Sequence, residues 1–333
     1  MLAPPSLKNV LHYPVTAGLA AAAIVVTGSG WLGQSIDSFV MNERVWANFE
    51  LWRALTCTLP HVNFVHLAFN LYWVWAFGAL LERVYGHLRC AAIFLVLAFG
   101  SSLAQFTVFS GGVGLSGVVY GLWGMLWVLE KHDLRFADAV DYQTSRLFVF
   151  WFFLCIVLTL VNVMPVANVA HGVGALLGVL MGFAISGSGP ARWKSIVGLA
   201  AVLILGLAGS TVLWPRVNLS AGAEAQVELA GCEALQQDNA AAAVNFLETA
   251  TRMRHAPARA WYNLGVAYSR LGRFDEALAA YEHAAQMPGA DSKAQQALQE
   301  MKAYLTWAKE NMSQQQGHGT NVVPATPRTQ TSQ

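Results

Sequence analysis

Charge is scarce in this sequence. Only 12% of its 333 residues are Asp, Glu, Lys or Arg, and the formal net charge is +1. Nucleic-acid binding needs a basic face of clustered Lys and Arg, so that class of partner is set aside. Cysteine is sparse too. Cys57, Cys90, Cys155 and Cys232 lack CxxC spacing, which argues against a zinc site or a disulfide framework and leaves them as small apolar packing residues. No HExxH run or paired carboxylate is present, and His61 and His66 fall on different faces of a helix, so neither a metal nor a cofactor is expected. A cleaved leader is not expected either: the first apolar segment is too long and its positive flank too weak, and it reads as a retained span.

Apolar residues make up 55% of the chain, with 12 Trp and 17 Phe, a balance that places it among integral membrane proteins. A span needs roughly 20 apolar residues, fewer where neighbouring helices shelter polar groups. Seven candidates follow, at 15–33, 65–81, 90–109, 115–129, 147–164, 168–186 and 195–214. The expected fold is therefore all-α, a polytopic membrane helix bundle. Pro165 separates the fifth span from the sixth, and Gly187-Ser188-Gly189-Pro190 the sixth from the seventh.

Basic connections stay cytoplasmic. Those carrying Arg83 and Arg89, Lys131, Arg135 and Arg146, and Arg192 and Lys194 are expected inside, while 110–114 and 165–167 carry no charge. The N-terminus is then cytoplasmic, even-numbered spans begin at the outer face, and everything after Trp214 lies outside. Residues 34–64 form a long outer connection rich in aromatics, suited to the membrane interface, where Trp52-Arg53 would snorkel at the headgroups; a solvated loop is the plainer alternative.

Composition turns soluble and helical at 224. Ala260-Trp261-Tyr262-Asn263-Leu264-Gly265, Ala267-Tyr268, Leu271-Gly272, Phe274-Asp275-Glu276-Ala277, Tyr281 and Ala284 resemble a tetratricopeptide repeat. Ala230-Gly231, Ala243, Leu247 and Ala250, displaced by 34 residues, give a degenerate first copy, and 291–310 a closing helix. Such a stack binds a peptide or protein partner, or merely stabilises the chain. The division expected is a core at 1–190, a seventh span at 191–216, a linker at 217–223, a repeat domain at 224–312 and a disordered tail at 313–333.

Four polar residues inside apolar segments, His66, Asn70, Ser116 and His171, fall on one side of the bilayer by this topology. The fourth span covers about 22 Å at about 1.5 Å per residue, short of the ~30 Å hydrocarbon core. Ser116 at its outer end would lie in a depression, beneath the loop Gly111-Gly112-Val113-Gly114. Taken alone, such a serine caps a helix. Acting as a nucleophile it needs a base, and His171 in the first turn of the sixth span is the candidate, its other reading being a hydrogen bond to a neighbouring carbonyl. Gly174, Gly178 and Gly182 form a smooth stripe that Gly117, Gly121 and Gly124 can meet, bringing the two side chains together.

The outer halves of the spans hold no Asp or Glu, so a Ser-His dyad is more economical than a triad. Tyr120, one turn below Ser116, would orient the imidazole or simply pack. His66 and Asn70, four apart on one face, would donate to an oxyanion together with the backbone N–H of Ser116; Asn70 acting as interhelical glue is the alternative.

These residues resemble the rhomboid intramembrane serine proteases over about 40–186. The likeness rests on Trp52-Arg53, on His61, His66 and Asn70, on Gly114-Leu115-Ser116-Gly117 with Tyr120, and on Ala170-His171 with Gly174 and Gly178. It implies Ser116 as nucleophile, His171 as general base, and His66 with Asn70 as oxyanion stabilisers, with His61 near the mouth of the site. It also implies a six-helix core, a membrane-embedded first loop, and lateral access for transmembrane protein substrates near the fifth helix. The seventh span and the repeat domain lie outside that pattern. A catalytically silent scaffold that binds transmembrane helices or a soluble partner is the other class of function considered.

Overall fold

In a computed structural model that describes residues 5–315, every regular element among the described residues is a helix. The chain divides into two units between Ser220 and Ala221. The first contains α1 (Pro14–Trp31), α2 (Phe64–Tyr85), α3 (His87–Val108), α4 (Ser116–His132), α5 (Tyr142–Leu160), α6 (Asn168–Ser186) and α7 (Gly189–Ser210). All of these except α4 are long and apolar enough to cross a membrane. At 17 residues, α4 covers about 25 Å at ~1.5 Å per residue. It is the most enclosed helix of this unit, with Val118, Leu122, Met125, Leu126 and Leu129 entirely buried.

Helix boundaries move where capping chemistry outweighs hydropathy. The fifth span, expected at 147–164, starts instead at Tyr142, because the Asp141 carboxylate accepts the Thr144 N–H at 2.7 Å. The seventh, expected at 195–214, begins at Gly189 with Pro190 in its first turn, where the missing N–H of proline costs nothing. The last described helix runs to Gln315, past the expected start of the tail at 313; the rest of that tail lies outside the described residues.

Two buried charges organise the helix ends. The Glu82 carboxylate accepts the N–H groups of Val15 and Thr16 at 2.9 Å each and the Thr16 hydroxyl at 2.7 Å, and pairs with His87 Nδ1 at 2.7 Å. It satisfies donors that the first turn of α1 leaves unpaired and places negative charge at the positive end of the helix. Arg53 departs from the expected snorkelling. Its side chain is 3% exposed and ties the first loop together, donating to the Asp37 and Val40 carbonyls and to Glu50, while Trp52 beside it is exposed.

The glycine stripes face each other across α4 and α6. A Cβ on Gly174 would sit 2.1 Å from the Gly117 carbonyl oxygen, and one on Gly178 only 1.8 Å from that of Gly121. Backbone therefore packs on backbone along this seam, a contact that only residues without a side chain permit.

The second unit contains α8 (Ala223–Gln236), α9 (Ala240–Arg252), α10 (Ala258–Arg270), α11 (Phe274–Gln286) and α12 (Ser292–Gln315). In α8 and α9, Gly231 lies under Leu247; in α10 and α11, Gly265 lies under Tyr281. The same close contact thus recurs one repeat length later. Glu228, buried in α8, pairs with Arg259 of α10 and joins the two copies.

Candidate active site

Ser116 is the first residue of α4, where the backbone leaves a loop whose Gly111, Gly112 and Gly114 take φ of +83°, +101° and +110°. Only glycine adopts such angles freely, so the loop can fold tightly over the helix start. From α6, one turn in, His171 points its Nε2 at the Ser116 hydroxyl, 2.7 Å away. The glycine seam makes this approach possible, because Gly117 follows Ser116 and meets Gly174, one turn beyond His171.

His171 is buried, and its ring lies on that of Tyr120 with centroids 4.6 Å apart and planes inclined by 23°. Its Nδ1 has no hydrogen-bond partner among the described residues. The tyrosine hydroxyl turns away to donate to the Phe148 carbonyl of α5 at 3.1 Å.

His61 and His66 close over the loop from the other side. Their rings meet edge to face at 4.8 Å, and a Cβ on Gly114 would lie 2.7 Å from His66 Cε1 and 3.3 Å from His61 Cδ2. His61 has a task that spacing did not reveal. Its Nε2 accepts the Leu115 N–H at 3.3 Å, so the other nitrogen carries the proton and donates to the Leu59 carbonyl at 2.9 Å, with Thr27 beside it. Burial, with the neighbouring His66 adding to it, pushes the His61 pKa down from 6.5 to about 4 and keeps the ring neutral. Asn70 is buried, with its amide nitrogen donating to the His66 carbonyl at 3.0 Å and its Oδ1 without a partner among the described residues.

A pocket opens beside Ser116, lined in part by Met41, Ser101, Ser102, Gln105, Gly112 and Ala167. The three polar residues of α3 escaped the sequence reading. Their signal was present, because Ser101, Ser102 and Gln105 interrupt an apolar span as His66 and Asn70 do. Gln105 reaches across to accept the N–H of Ala170, next to His171, at 3.2 Å. Ser102 accepts from the Cys57 thiol at 3.3 Å.

Chemically, a partly buried hydroxyl in contact with an imidazole, at a helix N-terminus, suits addition of oxygen to a polarised carbonyl. Among the described residues, no cluster of His, Cys, Asp and Glu is placed to hold a metal ion.

Known proteins resemble this chain in two places. Residues 48–188 match the Rhomboid domain family and residues 258–287 the tetratricopeptide repeat. The chain is 33% identical over 184 residues to the rhomboid protease GlpG of Serratia proteamaculans, covering 51% of this chain and 62% of that protein. It is likewise 33% identical over 157 residues to the rhomboid protease GlpG of Photorhabdus laumondii, covering 45% and 55%. The chain thus spans less than two thirds of the length of these curated relatives.

Proposed function

We propose that this chain, whose residues 48–188 are a rhomboid domain and whose second unit carries a tetratricopeptide repeat, is a serine endopeptidase that cleaves transmembrane segments within the bilayer. The observation that carries this reading is the 2.7 Å approach of His171 Nε2 to the Ser116 hydroxyl. Ser116 Oγ attacks the carbonyl carbon of the scissile peptide while its proton passes to His171 Nε2. Collapse of the tetrahedral adduct breaks the C–N bond, and the imidazolium returns the proton to the leaving amine. Water, deprotonated by the same imidazole, then hydrolyses the acyl-enzyme and regenerates Ser116.

His66, the Asn70 amide and the Ser116 N–H are assigned to the oxyanion, which requires donors aimed at the charge as it develops. Tyr120 holds the imidazole plane, a task that a missing third carboxylate leaves to ring contact. The six apolar spans with α4 between them make seven crossings, and the basic connections orient them. On this topology the site opens at the outer face, the N-terminus is cytoplasmic and the repeat domain lies outside, where it would bind a protein or peptide partner.

Ser116→Ala in the full chain, reconstituted with a reporter transmembrane substrate in lipid vesicles, is expected to abolish cleavage while leaving the melting profile unchanged. Turnover surviving that substitution would reject Ser116 as the nucleophile, whereas no cleavage by the parent chain would leave a helix-binding scaffold as the reading.

A further inference from the structure

The stretch from Trp214 to Ser220, which follows α7, grips the end of α3 and the loop ahead of Ser116. The last carbonyls of a helix have no partner within it. Here Trp214 Nε1 and Asn218 Nδ2 both donate to the Phe106 carbonyl at 3.0 Å, and the Leu219 N–H donates to that of Val108 at 2.7 Å. Two residues beyond the helix, the Ser110 N–H donates to Ser220 Oγ at 2.5 Å and the Ser110 hydroxyl to Asn218 Oδ1 at 3.5 Å. Asn218 Oδ1 also accepts the Ser220 N–H at 3.0 Å, which fixes the stretch on itself. The Trp214 ring is 3% exposed, stacked on Phe106 at 5.5 Å with Trp46 of the first loop at 5.9 Å.

The loop that delivers Ser116 is therefore anchored at both ends. At its far end the Gly114 N–H donates to the Cys57 carbonyl at 3.1 Å and the Leu115 N–H to His61 Nε2 at 3.3 Å; at its near end Ser110 is held by Ser220. Gly111 and Gly112 between them contribute little stiffness of their own. The gripped turn of α3 also carries Gln105, which holds the Ala170 N–H beside His171. Both partners of the serine–histidine contact are thus positioned from the same clasped end of one helix.

We propose that Trp214, Asn218 and Ser220 are positioning residues of the hydrolytic site, forming a clasp that sets Ser116 and His171 in register. The clasp rests on the protease reading above, and it makes the helix outside the six-helix pattern a working part of the site rather than a tether for the repeats.

The test uses the full chain in phospholipid vesicles with a reporter transmembrane substrate and a fluorophosphonate that labels the reactive serine. Ser220→Ala and Asn218→Ala each lower kcat about tenfold with KM little changed, within the range that a ~1 Å misplacement of reacting groups can cost. Labelling of Ser116 slows in parallel. Ser220→Thr, which keeps the hydroxyl, restores both, as loss of bulk stability would not predict. Should Asn218→Ala fold poorly, Ser220→Ala carries the test, since it removes one oxygen from a partly exposed residue. Unaltered kcat and labelling in Ser220→Ala would overturn the clasp and leave the protease reading standing. Turnover in Ser116→Ala would overturn the serine–histidine reading of the site and the clasp with it.

Discussion

Tyr120 of α4 bridges His171 of α6 and Phe148 of α5. One face of its ring lies 4.6 Å from the His171 imidazole, while its hydroxyl donates at 3.1 Å to the Phe148 carbonyl of α5. Phe148 is itself held by Trp73 at 4.9 Å and stacked on Trp123 at 5.4 Å, whereas Phe150, Phe153 and Val157 of the same helix face outward. His171 and the inner face of α5 therefore share one aromatic side chain.

Tyr120→Phe keeps the ring against His171 and loses only the bond to α5. Its kcat on a reporter transmembrane substrate is expected to stay within about threefold of the parent, because a neutral hydrogen bond contributes only about 1 kcal/mol. Tyr120→Ala removes the stack as well and is expected to lower kcat by about 10- to 10²-fold, through loss of imidazole alignment. Equal kcat in the two variants would disprove the orienting role.

Gly178→Ala places a methyl 1.8 Å from the Gly121 carbonyl oxygen, and two packed backbones cannot both hold their positions. Overpacking of this kind costs about 1–3 kcal/mol or more. The melting temperature in detergent should fall and serine labelling should be lost, since separation of α4 from α6 also pulls His171 from Ser116. Gly172→Ala is the control: its added methyl would lie 3.6 Å from Phe152, an ordinary contact, and stability should hold.

Glu82→Gln retains shape but gives up the charge that three donors of α1 and His87 converge on. Leaving such donors poorly satisfied in a buried place costs about 1–3 kcal/mol. Thermal unfolding should show the loss, whereas kcat measured well below the new midpoint should be unaffected, because Glu82 touches nothing in the site.

His61 makes the first loop sensitive to acid. Its folded pKa, about 4, lies below the ordinary 6.5, so between those values the unfolded chain binds a proton that the folded chain excludes. Stability is therefore full above pH 6.5 and is expected to fall as pH drops towards 4. Protonation would also leave the Leu115 N–H without its acceptor. Melting curves across this range should be less steeply pH-dependent in His61→Asn; an unchanged slope would remove His61 from the account.

The sequence was most informative where one residue type answers one physical demand. Glycines at four-residue spacing announced the α4–α6 seam, since only a chain without Cβ atoms lets carbonyls approach so closely. Polar side chains isolated among apolar ones marked His66, Asn70, Ser116 and His171, because a bilayer makes such residues costly to keep without a purpose. The same rule marks Ser101, Ser102 and Gln105 in the third span.

Other features depended on pairs of residues far apart in the chain. Glu82 reads as one more charge at a helix end until α1 brings its first N–H groups to it. Arg53 reads as a surface arginine until the loop wraps its carbonyls around the guanidinium. Neither the tautomer of His61 nor the hold of Trp214, Asn218 and Ser220 on α3 has any periodicity to betray it. The sequence by itself determined which segments are helices and which polar residues they carry, since those follow from local spacing and transfer energies. Only the tertiary structure decided which distant donors and acceptors meet, because that depends on how the helices pack.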